Sequence, residues 1–232
     1  MGSCYTFFAK GKVMRMKKVI VFFTLVLATS ISLSAWEHSA GLEIGSPYFS
    51  INAKGDGVKN VTQPQLTARY FGKASNGFCV SATLSPGLAF SKDFTLQGEN
   101  ATAKGFGMEL TMGAGYAFDI TDRFALAALG SMSLDWTRFK YKKTIYAGTS
   151  YGAVTAEWTQ NDNALFVGLG AELLASFKLT EHISIVGSFA MRFVDGGKLW
   201  KKGSAMGKNY DSSFDLRGNF SVAPSLGARW TF

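Results

Sequence analysis

Beyond residue 35 the chain has no apolar run long enough to cross a membrane as a helix, a span that takes about 20 residues. Charge is sparse too, at 17% of residues, while aromatics reach 14% and glycine numbers 26, a balance unusual for a soluble enzyme. Only two cysteines occur, Cys4 and Cys79. Cys4 precedes the N-terminal apolar run, so it cannot serve as a lipid-anchor residue. Cys79 is then alone, which excludes an intramolecular disulfide or a cysteine metal cluster and leaves it a small buried filler. No metal or other cofactor is called for. Two histidines, His38 and His182, are the only ones present.

The N-terminus is the exception to the missing apolar run. Met16-Lys17-Lys18 precedes Val19 to Ala28, and small polar residues follow from Thr29 to Ala35. A charged start, an apolar run of this length and a small-residue tail read as a secretory signal peptide over residues 1–35, with 1–15 an upstream-start extension. Cleavage after Ala35, Ser34 or Ser32 fits. Removing that segment takes the formal charge from +8 to +3, because it holds five cations and no acid. The high isoelectric point therefore belongs largely to targeting and asks for no nucleic acid. Two short basic clusters survive, Arg138 to Lys143 and Lys198 to Lys202. Interleaved aromatics and cations can bind single-stranded nucleic acid. In an exported chain they read as exposed loops, contacting lipid headgroups or an extracellular ligand.

What fills residues 36–232 is a period of two. Phe220, Val222, Pro224, Leu226, Ala228, Trp230 and Phe232 share one parity, against Ser221, Ala223, Ser225, Gly227, Arg229 and Thr231 on the other. Side chains alternate across a strand, so this segment has one greasy and one wet face. The pattern recurs in Leu165 to Phe177, Phe106 to Phe118, Phe124 to Trp136, Ile183 to Phe193 and Phe78 to Phe90. Weaker copies are Trp36 to Tyr48 and Leu66 to Phe71. Eight such segments, mostly of ten residues or more, suit tilted membrane strands. Asp119 to Phe124 and Lys178 to Ile183 are near-copies of one short turn, and Gly72 to Gly77 is a third. Longer polar connections lie at roughly 52–63, 91–104, 138–162 and 194–213. The predicted fold is all-β, an eight-stranded antiparallel up-and-down transmembrane barrel with both termini at the periplasmic end. Aromatics gather near the strand ends: Trp36, Tyr116, Phe118, Phe124, Phe177, Trp230 and Phe232 at one, Tyr48, Phe90, Trp136, Trp158, Phe193 and Phe214 at the other. Such girdles suit membrane interfaces.

A soluble exported barrel is the competing architecture, with its apolar parity inside. Charge separates the two. Glu43, Arg69, Glu109, Asp135, Glu172, Arg192 and Arg229 all fall on the minority parity, leaving the apolar face almost bare of charge. A water-facing exterior would carry that charge, so the apolar parity meets lipid and the charges point inward. An eight-stranded barrel is only wide enough for its own side chains or one small ligand. Glu43, Arg69, Glu109, Glu172, Arg192 and Arg229 are accordingly a candidate lumen ion network. It would act either as a structural plug or as a gated polar path, because unpaired buried charges cost several kcal/mol each, on the order of 3–5. Strand neighbours suggest Glu43 beside Arg229 and Glu172 beside Arg192. Phe71, Leu129, Phe166, Leu174 and Val186 share the inward parity, as packing or as an apolar solute path.

The signal peptide, the paired strand-turn-strand units and the ending Leu226-Gly227-Ala228-Arg229-Trp230-Thr231-Phe232 together resemble the small eight-stranded outer-membrane proteins, the OmpW-like and OmpA/OmpX-type barrels. The resemblance implies an outer-membrane location in contact with lipid. It implies that Trp230 and Phe232 form an assembly signal read by the barrel-insertion machinery. An OmpW-like barrel would be a narrow channel or carrier for small hydrophobic molecules. An OmpX/OmpA-type barrel would be a non-conducting surface protein of adhesion, ligand binding or envelope integrity. The periplasmic peptidoglycan-binding domain of OmpA-type proteins is not expected here. Enzymatic relatives place a histidine near the outer rim, whereas His38 and His182 both fall at the opposite end, so no general base stands within reach of such a site. The expectation is a non-enzyme. The sequons at Asn60 and Asn100 are treated as chance.

Overall fold

A computed structural model describes residues 36–50, 60–96, 99–149, 152–205, 208–216 and 219–232. The predicted signal peptide lies outside the described residues. Eight strands form the wall. β1 runs over Trp36–Gly45 and resumes at Tyr48–Ser50; β2 runs over Asn60–Thr62 and resumes at Gln65–Ala74. β3 is Phe78–Leu96, β4 Glu99–Asp119, β5 Phe124–Thr149, β6 Gly152–Lys178 and β7 Ile183–Ala205. β8 comprises Lys208–Leu216 and Asn219–Thr231. Each strand pairs antiparallel with the next, and β8 pairs with β1 through Ser39↔Thr231 to Gly45↔Ser225, which closes the barrel and removes its edges.

The short turns and both strand termini, Trp36 and Thr231, lie at one end, here the turn end. Its turns follow from their chemistry. In the two near-copies, Thr121 and Thr180 each place Oγ1 to accept two backbone amides, those of Arg123 and Phe124 and those of His182 and Ile183, at 3.0–3.3 Å. A hydroxyl that mimics a backbone turn is why the same Thr recurs in both. In the third turn Asn76 Oδ1 accepts the Phe78 amide at 3.0 Å, and Gly77 takes φ 86°, a conformation that a side chain would strain.

The opposite, loop end differs from expectation. Residues 91–104, 138–162 and 194–213, read from sequence as loops, are largely strand. β5 has 26 residues and β6 27, well beyond the roughly ten needed to cross a membrane at a tilt. Above the membrane a wall meets water on its outer side. The greasy stripe that announces a strand therefore disappears while the backbone ladder continues, from Trp136↔Leu165 out to Thr149↔Gly152.

The predicted apolar parity faces outward along most of the eight stripes. Leu42, Ile44, Leu88, Leu169, Leu173 and Leu226 are all more than half exposed, and they belong to a belt that circles the wall. Soluble monomers rarely expose contiguous apolar patches beyond a few hundred Å², so this belt is a lipid-facing surface. Aromatics bound it, with Tyr116, Phe118, Phe177 and Trp230 at the turn end, and Tyr48, Phe193 and the Phe106–Trp136 edge-on pair at the loop end. Phe214 corrects the girdle: it packs against the inner apolar cluster beneath the Lys201 ammonium, so it faces the lumen. The side chain of Trp158 is outside the described residues.

Candidate functional site in the barrel lumen

Inward side chains stack in three layers. At the turn end Phe71, Cys79, Leu129, Leu174 and Val186 form an apolar layer. At the loop end Phe49, Val61, Phe139, Phe166 and Leu199 form another, with Phe49 and Phe166 edge to face at 5.6 Å between ring centres. The five apolar lumen candidates therefore divide, Phe71, Leu129, Leu174 and Val186 below and Phe166 above. Between the layers lies the charge.

Arg69 is the hub of that middle layer. Its Nε donates to Glu43 Oε1 at 2.5 Å, and Nη2 donates to Glu172 Oε1 at 2.7 Å and to Glu43 Oε2 at 3.1 Å. Nη1 donates to Ser81 Oγ at 2.9 Å. One guanidinium thus ties β1, β2, β3 and β6 together across the lumen, the forked geometry that arginine offers and lysine does not. Ser225 Oγ also bonds Glu43 and meets Ser188 Oγ at 2.7 Å, which carries the network to β8 and β7. A second cluster joins β4, β5 and β7. Arg192 Nη1 donates to Glu109 Oε1 at 2.7 Å, Thr111 donates to the same oxygen, and Ser133 donates to Asp135 Oδ2. Glu109 and Asp135 stand directly opposite in the ladder.

These partners differ from those suggested by strand adjacency. Glu43 faces Gly227 in register, and Glu172 faces Ala190. Long side chains reach along and across the lumen, so the partner is chosen by the space they fill. Arg229, expected beside Glu43, instead lays its guanidinium over the Phe71 ring at 4.7 Å, with Nε and Nη1 making no hydrogen bond. A cation on an aromatic face keeps part of its stabilisation there.

Gln63 was hidden from sequence reading because it falls in an expected loop. It is almost fully buried, and its amide lies against the wall where a Cβ on Gly107 would collide with it. Its Nε2 donates to Gln65 Oε1 at 3.3 Å, and its Oε1 accepts from Thr137 at 3.4 Å. Together these groups fill the middle layer. The cavity among Thr67, Arg69, Glu109, Glu172 and Arg192 measures about 20 Å³, room for about one water.

The wall beside the layer is weakened on one side. Pro224, Ser46, Pro64 and Leu88 are opposite one another on β8, β1, β2 and β3, with Pro47 one residue along. In an antiparallel ladder the amide and carbonyl of a residue face the same neighbour. Pro224 accepts from Ser46, Pro47 from Gln63 and Pro64 from Leu88, yet none can return a hydrogen bond. Three consecutive seams thus each lose a donor at one height, between the charged layer and the loop-end apolar layer. A lipid-side groove lined by Ile44, Pro64, Leu66, Pro86, Leu88 and Phe106 opens there.

The histidines serve the turn end. His38 Nδ1 is 2.8 Å from Tyr70 Oη, and His182 stacks on Trp230 at 5.3 Å. Above the loop-end layer, Gln160 donates to Asp162 at 2.7 Å and accepts from Tyr210 at 3.1 Å. Burial pushes the Asp162 carboxyl above the ordinary carboxylate range, against opposing pulls from Gln160 and Lys201.

No family model matches the chain, and no curated protein matches it. Solved structures do. A major outer membrane protein from Thermus thermophilus aligns with TM-score 0.54 and 14% identity, over 83% of this chain and 99% of that one. The outer membrane protein OprG from Pseudomonas aeruginosa aligns with TM-score 0.52 and 15% identity, over 85% and 95%. The chain has the fold of the small outer-membrane β-barrels, built from eight antiparallel strands.

Proposed function

We propose that this outer-membrane barrel is closed to ions and admits small hydrophobic molecules, which enter at the loop end and leave sideways into the lipid. One observation carries the reading. The Arg69 bridge between Glu43 and Glu172 fills the lumen on the turn-end side of the proline seams, while an apolar aromatic layer lies on the other side. A hydrophobic solute gains by entering the apolar layer and loses by displacing paired charges, whose disruption costs about 3–5 kcal/mol. The seams at Pro224, Pro47 and Pro64 offer the lower-cost exit, directly onto the apolar belt. The resemblance to OmpW-like barrels supports the same solute class. In this reading the termini and short turns face the periplasm, the long hairpins face outward, and Trp230 and Phe232 are the residues that the assembly machinery recognises.

The test is entry of a small apolar dye into diderm cells that display the barrel. Cells with the wild-type chain take up dye faster than cells without it. Pro64→Ala with Pro224→Ala restores two ladder donors and slows entry at unchanged barrel abundance. Equal entry with and without the barrel overturns the reading.

Arg138 and Lys140 stand exposed on β5, which projects past the membrane, and they favour a second reading as a surface-binding barrel. That reading predicts unchanged dye entry and a ligand lost on neutralising the projecting hairpin.

A further inference from the structure

Lys104 on β4 and Lys140 on β5 are directly opposed across the ladder, and Arg138 lies one step away, opposite Phe106. All three side chains are exposed on the outer face of the wall. Directly opposed residues hold their Cβ atoms about 5 Å apart, and like charges in that relation repel. None of the three makes a hydrogen bond or ion pair among the described residues, whereas Lys202 is bonded to Asp211 at 3.0 Å. The triad lies immediately beyond the Phe106–Trp136 pair that marks the loop-end edge of the apolar belt. At the turn end the exposed charges are mixed instead, with Asp119, Asp122 and Glu181 among Arg123 and Lys178, and Asp119 paired to Lys73.

A repelling, unpartnered cation cluster at headgroup height asks for an anion that bridges it. We propose that Lys104, Arg138 and Lys140 bind the headgroup of a membrane lipid bearing more than one phosphate, in the leaflet at the loop end. Phosphate supplies several charge-assisted acceptors to each cation. The acyl chains lie along the apolar belt directly below, over Met108, Leu134 and Trp136. The site is on the outside of the wall and works whether or not the lumen carries a solute.

The test uses the folded full-length barrel in phosphatidylcholine vesicles, with a diphosphorylated disaccharide glycolipid as the probe. Association is read by native mass spectrometry after transfer to detergent. The variant Lys104→Gln, Arg138→Gln, Lys140→Gln loses affinity by roughly a hundredfold, from about fivefold for each surface cation. Lys202→Gln keeps wild-type affinity, and heat-modifiable gel mobility establishes that both variants are folded. The dephosphorylated glycolipid binds the wild type as weakly as the triple variant binds the phosphorylated one. Equal binding of the probe by wild type and triple variant overturns the proposal. So does equally tight binding of a soluble polyphosphate lacking acyl chains, which would make the triad a general polyanion site.

Discussion

Arg69 and Glu172, 103 residues apart, meet at 2.7 Å in the middle of the barrel, and neither side chain is more than 4% exposed. Their contact joins the second strand to the sixth across the lumen. Arg69→Ala leaves Glu43 and Glu172 as facing buried carboxylates without a cation. The expected loss of stability is about 3–5 kcal/mol, measured as an earlier midpoint in urea titration of the lipid-embedded barrel. Arg69→Met with Glu43→Gln and Glu172→Gln, which removes all three charges, recovers most of it. An Arg69→Ala barrel as stable as wild type would show the bridge to be incidental.

The second cluster has the same excess of acid, two carboxylates to one arginine. Glu109 and Asp135 face each other with Arg192 as their shared cation, and Glu109 Oε2 and Asp135 Oδ1 make no hydrogen bond. Glu109→Gln therefore relieves repulsion while it weakens one ion pair, and changes stability by less than about 1 kcal/mol. Arg192→Ala strands both acids and costs several times more. The ratio of the two urea shifts checks this, and equal shifts contradict it.

Much of this arrangement was legible in the sequence. Period-two alternation identified which face meets lipid, and it placed Glu43, Arg69, Glu109, Glu172, Arg192 and Arg229 inside. The repeated Thr-centred turns marked the strand joins at Thr121 and Thr180. Partner choice was not legible, because Arg69 bonds Glu43 and Ser81 on its neighbouring strands and also reaches across the lumen to Glu172, and only the filled volume decides what it meets. Gln63 and the upper halves of β5 and β6 were missed for another reason. Outside the lipid no greasy stripe is required, so polar alternation there looks like a loop although the ladder continues.

Asp162 gives a pH dependence outside the membrane. Burial raises its carboxyl above the ordinary range, so the folded chain holds the proton more tightly than the unfolded chain. Its contribution is fully present at pH below the ordinary carboxylate value and is lost as pH rises through the raised one. Asp162→Asn removes that loss. The variant is expected to gain stability at neutral pH and match wild type in strong acid, seen as a flatter plot of urea midpoint against pH. A neutral-pH loss instead would show that the carboxylate's pairing with Lys201 outweighs its burial.

Gly107 makes room for Gln63. Gly107→Ala drives the methyl into the amide and breaks the Gln65 and Thr137 contacts, at about 1–3 kcal/mol for over-packing. Adding Gln63→Ala vacates the space and restores part of the loss. A double-mutant cycle reads the coupling, and strictly additive effects would mean that the two residues do not share that space.

The closure of the lumen is tested most directly by single-channel recording from the refolded barrel in a planar bilayer. The wild-type chain, folded by heat-modifiable mobility, gives no discrete current steps, because Arg69, Glu43 and Glu172 occupy the path. The charge-free variant Glu43→Gln, Arg69→Ala, Glu172→Gln opens small steps by removing the bridging side chain. Discrete steps from the wild type, unchanged in the variant, would contradict the account and place the ion path elsewhere.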